Sequence, residues 1–143
     1  MRLRIIGCTG SMSGPDSPAS CYLLHAHGPD ERTGKERTWN LVLDMGPGAF
    51  GELWRYIEPA SLAAVIFSHC HADHMGDVIS LHVYRRWGPG AYCDPMVLAG
   101  PACLPGRVRQ IDGAGEEENY STEFIFWELN DAKSWSLGPF TVS

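Results

Sequence analysis

The stretch Leu62-Ala63-Ala64-Val65-Ile66-Phe67-Ser68-His69-Cys70-His71-Ala72-Asp73-His74-Met75-Gly76-Asp77 decides how this chain is read. Leu62 to Phe67 is a nearly unbroken apolar run of strand length, the pattern of a strand covered on both faces. Three imidazoles and a carboxylate follow at its C-terminal end, where open α/β sheets bind their ligands. His69 and His71 stand two apart, so on an extended backbone both rings point the same way and can reach one metal ion. A tight turn at Ala72 then swings Asp73 and His74 towards a neighbouring point. Imidazole with carboxylate suits zinc, and also manganese or iron. A lone histidine is ordinarily a polar loop residue, but four potential ligands this dense behind a buried strand read as a metal centre.

Outward from that segment the chain punctuates clearly. Towards the N-terminus, Leu3–Gly7, Ser20–Ala26 and Trp39–Leu43 read as strands. The loop Cys8–Pro18 is dense in turn residues, and Gly28–Arg37 reads as a polar hairpin tip. Asp44 ends the third strand. Phe50, Leu53, Trp54 and Ile57 recur at helical spacing and predict a helix over Ala49–Ile57, stopped by Pro59. Towards the C-terminus, Asp77 is placed to cap a helix over Val78–Trp87, with Ile79, Val83 and Trp87 on one side. Met96–Ala99, Phe124–Leu129 and Phe140–Val142 read as further strands. Gly100-Pro101 leads into an irregular or briefly helical stretch, and Glu116-Glu117-Glu118 into a solvated acidic loop. Strands that meander first and alternate with helices later predict one α/β domain over residues 1–143, a mixed sheet with flanking helices.

Composition narrows the function classes. Of 143 residues, 44% are hydrophobic and 20% charged, the balance of a globular chain that buries a core. A formal net charge of −6 gives no long-range attraction for a phosphate backbone. No apolar run reaches the ~18 residues of a membrane-spanning helix, and the opening Met1–Gly7 lacks the apolar core of a signal peptide. Five cysteines without paired spacing argue against a disulfide framework and for a reducing, cytoplasmic setting.

His69-x-His71-x-Asp73-His74 resembles the signature of the metallo-β-lactamase superfamily. The resemblance implies an αββα sandwich, here its N-terminal half. It implies two divalent ions, zinc first with manganese or iron as alternatives. His69 and His71 would hold one ion, and Asp73 and His74 the other. Asp44 matches the aspartate that orients the ligands from behind; read by itself it is a strand-end cap. A metal-activated hydroxide would be the nucleophile, and Asp73 would orient it or take its proton.

Gly7-Cys8-Thr9-Gly10-Ser11 with Gly14–Ser20 is similar to the opening of the phosphodiesterase branch, nearest to an atypical bacterial cyclic-nucleotide phosphodiesterase. A ribonuclease Z-like tRNA 3′-processing endonuclease acting on RNA is the alternative, and an inactive truncated metal-binding domain the third reading. Ser11 and Ser13 are candidates for phosphate contact, or belong to a plain Gly/Pro turn; Arg85 either faces phosphate or is solvated with Arg86. His25 and His27 read as a surface pair. Cys70 should point away from the ions. The family's remaining ligands, two histidines and a bridging aspartate, would lie beyond Val142-Ser143, so the chain reads as half of a domain. A small phosphodiester substrate, no membrane and a homodimer complete the expectation.

Overall fold

A computed structural model describes residues 1–142; the expectation that Val142-Ser143 continues a strand lies, at Ser143, outside the described residues. Three strands, β1 (Arg2–Gly7), β2 (Cys21–Asp30) and β3 (Lys35–Leu43), form an antiparallel meander. From β3 the sheet turns parallel, through β4 (Leu62–Ile66), β5 (Met96–Gly100) and β6 (Phe124–Glu128), giving the order β1-β2-β3-β4-β5-β6. The parallel pairs are joined by α1 (Ala49–Trp54), by the single turn α2 (Ala72–Met75) with α3 (Val78–Arg86), and by α4 (Leu104–Asp112). A separate hairpin, β7 (Trp135–Leu137) with β8 (Phe140–Val142), follows.

Period-two alternation divides the core. Leu23, Val42, Val65 and Leu98 point to one face and bury against Phe50, Leu53, Leu81 and Val108 of the helices. Leu41, Ala64, Val97 and Ala99, their immediate neighbours, point to the other face and lie with Trp39 beneath Phe140 and Leu137. Both faces of the central strands are apolar because both are covered, as the continuous run Leu62–Phe67 predicts. The expected mixed sheet with flanking helices is therefore the observed architecture.

Several elements differ from expectation. The β2–β3 hairpin runs on to Asp30 and Lys35, so most of the Gly28–Arg37 segment is strand. Asp30 anchors its tip, accepting from the Arg32 backbone N–H at 3.0 Å and from the Arg37 guanidinium at 3.1 Å. Helix α1 ends at Trp54, and Pro59 opens a short 3₁₀ turn, Pro59–Ser61. The segment after Gly100-Pro101 is a nine-residue helix, α4, ended by Gly113 at φ 72°. Helix α3 buries Val78, Leu81, His82, Tyr84 and Arg85, whereas Val83 and Trp87 face solvent. Asp77 precedes α3 without capping it. Its Oδ2 instead accepts from the backbone N–H of Phe50 at 2.8 Å, capping α1.

Candidate metal centre

Strand β4 ends at Ile66, and its continuation carries the histidine-rich segment across the top of the sheet. Asp44, the residue after β3, lies beside it, its N–H donating to the Ile66 carbonyl at 2.9 Å. Asp44 has φ 55°, a left-handed conformation that costs a non-glycine residue about 1–3 kcal/mol. What holds it there is visible: its carboxylate accepts from the Ser68 backbone N–H (2.8 Å), the Ser68 hydroxyl (2.9 and 3.0 Å) and His74 Nδ1 (2.9 Å).

These bonds assign two tautomers. A carboxylate only accepts, so His74 Nδ1 donates to it, and in the neutral ring Nε2 then carries the lone pair. The single Ser68 hydroxyl proton goes to Asp44, so Ser68 Oγ accepts from His69 Nδ1 at 2.9 Å, and His69 Nε2 likewise keeps its lone pair. Asp44 and Ser68 thus orient two imidazoles with their ligating nitrogens free, the arrangement metal-binding histidines use.

The rings stand together. His69 and His74 have centroids 4.2 Å apart, and His69 and His71 4.8 Å apart at nearly right angles. His71 is exposed, while His69, Asp73 and His74 are half-buried. Asp73 and His74 sit on α2, with Asp73 Oδ2 3.5 Å from His74 Nε2. The Ser11 hydroxyl foremost, aided by the Asp73 backbone N–H and by His74 and His71, holds the Asp73 carboxyl below the usual carboxylate range, against the opposing effect of partial burial. Among the described residues, no three His, Cys, Asp or Glu side chains form a ready coordination shell. The donors are nevertheless those of a divalent-cation centre: three imidazoles, two of them anchored through Nδ1, and a carboxylate held below its usual range.

Close backbone packing fixes the geometry. The Met45 N–H donates to the His74 carbonyl at 2.7 Å, and a Cβ on Gly46 would meet the Asp73 carbonyl oxygen at 2.3 Å. Only glycine allows the loop after β3 to lie this close to α2.

The other candidates fall elsewhere. Ser11 is brought to Asp73, whereas Ser13 gives its hydroxyl to the Pro47 carbonyl. Arg85 is a correction. It is buried, donating to the carbonyls of Glu123 (3.2 Å) and Asp94, and it lines a cleft of about 730 Å³ beside the starts of β4 and β5, the end of the sheet remote from the histidines. Arg86 is not solvated either: it pairs with Glu118 at 2.8 Å and with the fully buried Glu123, which also removes Glu118 from the acidic loop. His25 and His27 lie within β2, paired across the hairpin with Asn40 (2.6 Å) and Thr38 (3.2 Å). Cys70 packs against the helix-side core, turned from its histidine neighbours. Ser68 escaped the sequence reading; the available signal was a hydroxyl directly preceding His69.

No protein-family model matches the chain. It is similar to an uncharacterised protein of Mycobacterium tuberculosis (strain ATCC 25618 / H37Rv), 37% identical over 99% of this chain and 49% of that protein. It is also similar to the probable metallo-hydrolase YhfI of Bacillus subtilis (strain 168), 27% identical over 100% of this chain and 52% of that protein. The chain thus spans about half the length of the curated relatives it matches. The crystal structure of the metallo-β-lactamase fold protein YhfI superposes with a TM-score of 0.72 at 22% identity, over 97% of this chain and 50% of that one. A long-form RNase Z from yeast superposes at 0.67 and 18% identity, over 94% of this chain and 20% of that one.

Proposed function

We propose that this chain, which shares the fold of the metallo-β-lactamase fold protein YhfI, supplies the histidine-rich half of the centre of a metal-dependent phosphodiesterase acting on cyclic nucleotides. One observation carries the reading. His69 and His74 stand side by side with their Nδ1 protons committed to Ser68 and Asp44, which leaves both Nε2 atoms for a cation.

His69 and His71 would hold one divalent ion, and Asp73 and His74 a second; zinc suits the set, with manganese or iron as alternatives. Bound there, such ions supply Lewis acidity towards water and phosphate oxygens. The chain's own groups do the rest. Asp44 and Ser68 fix the imidazoles before substrate arrives, so little reorganisation accompanies the reaction. Asp73, beside Ser11, is placed to orient an attacking water or take its proton. The Ser11 hydroxyl and the exposed loop around Gly10 border the same space, a position from which phosphate oxygens can be held.

A small substrate is favoured over RNA by the net charge of −6 and by Arg85 and Arg86 being consumed in internal pairs rather than presented as a basic face. The likeness to the yeast RNase Z favours the RNA reading as the second one. The same proposal includes a homodimer, supported by the uncovered β1 edge with Leu3 and Ile5 exposed. Hydrolysis of cyclic nucleotides and of a tRNA precursor, assayed on one metal-loaded sample of the intact protein, separates the two substrates. Turnover of the cyclic nucleotide, lost in His69→Ala, supports the proposal; cleavage of the precursor alone overturns the substrate choice.

A further inference from the structure

Two thiols meet behind the histidine segment. Cys70 stands between His69 and His71 but turns its side chain into the flank of the core, towards α4. Cys103 occupies the position before the first turn of α4 and is exposed. Both line one cavity of about 440 Å³, shared with Ala102, Pro105, Arg107 and Arg109. The two thiols are neighbours there, and the Arg107 backbone N–H donates to the Cys103 carbonyl at 3.0 Å. Arg107 closes the contact from α4, its Nε donating to the Cys70 carbonyl at 3.1 Å.

We infer that Cys103 and Cys70 form an oxidisable pair, a modification site at which a peroxide closes a disulfide between the start of α4 and the backbone linking His69 to His71. Cys103 is the entry point, because it is exposed at the mouth of this cavity whereas Cys70 is half-buried against the core. Its sulfur attacks one peroxide oxygen and the O–O bond breaks, giving a sulfenic acid and water. The Cys70 sulfur then attacks the Cys103 sulfur and the S–O bond breaks. The departing hydroxide takes the Cys70 proton and leaves as water. Two thiols lose two electrons in all, and one peroxide becomes two waters. In a reducing compartment such a bond is transient and suits sensing rather than structure.

The disulfide constrains the peptide joining two candidate ligands. We expect it to weaken divalent-ion binding at least about tenfold, as disturbing the support of a ligand does. That consequence rests on the metal-centre reading; the disulfide does not. The test treats the intact protein with hydrogen peroxide, blocks remaining thiols with an alkylating agent and maps peptides by mass spectrometry. The expected result is a peptide joining Cys70 to Cys103, reversed by dithiothreitol and absent in Cys103→Ser, where Cys70 remains alkylatable. Cys103 oxidised to a sulfinic acid or joined to Cys8 or Cys93, with Cys70 still a free thiol, would overturn the pair. Zinc titration of the reduced and oxidised protein tests the coupling. Equal affinity in the two forms refutes the coupling alone, and no zinc binding in the reduced form refutes the metal-centre reading while leaving the peptide result to stand.

Discussion

Asp44 makes more hydrogen bonds at the candidate metal centre than any one candidate ligand. It holds a left-handed backbone, is nearly buried, and spends its carboxylate on Ser68 and His74. Strain retained at a residue with this many partners marks a position where geometry matters more than local stability. Asp44→Ala removes the acceptor that fixes the His74 tautomer, and we expect zinc affinity to fall about 10- to 100-fold, measured by competition with a chromogenic chelator. An unchanged affinity would reduce Asp44 to a strand-end cap. The candidate ligands are legible in the sequence because their spacing is local; Ser68 is not, and Ser11 reads as a phosphate contact and not as the partner of Asp73, because these contacts arise only when β3 and the opening loop close over α2. Arg85 was misjudged for a related reason: a charged helix residue reads as solvated until the carbonyls of Glu123 and Asp94 come within reach.

Among the elements, helices show the limits of periodicity. Ile79, Val83 and Trp87 form an apolar stripe in sequence, yet α3 buries Val78, Leu81 and Arg85 because the sheet and α4 offer polar partners as well as apolar ones. Glu123 is wholly buried against Arg86, and His82 Nδ1 lies 3.0 Å from Glu123 Oε1 without the alignment of a hydrogen bond. Removing one partner from such a set leaves an uncompensated buried charge, so Arg86→Ala should cost about 3–5 kcal/mol in a urea unfolding experiment. Asp77 joins two helices by capping α1 from the start of α3. Asp77→Ala should cost about 0.5–2 kcal/mol by the same measurement, with the loss seen first in exchange of the Phe50 amide. Helix α4 was legible only as a disturbed stretch, since Pro101 and Pro105 mask a helix that Leu104 and Val108 anchor in the core.

For the whole molecule, the sheet was readable from its apolar runs, whereas the β7–β8 hairpin was half seen, because three-residue strands carry little pattern of their own. Acid sensitivity belongs at this scale. Arg86 foremost, with the Tyr120 backbone N–H, lowers Glu118 from its ordinary 4.5 to about 2. A carboxyl depressed on folding stabilises the fold above its unfolded value, and that contribution is lost as pH falls through 4.5 towards 2. Glu118→Gln should therefore flatten the fall in melting temperature across that window and leave the slope near neutrality unchanged.

The central claim is that residues 69–74 hold metal, and the direct measurement is metal bound per chain by plasma mass spectrometry, on the intact protein and on His69→Ala and Asp73→Ala. Two ions per chain are expected in the unaltered protein, with a loss in each variant while the fold is retained. An unaltered protein without bound metal, or variants that bind as much as their parent, would contradict it.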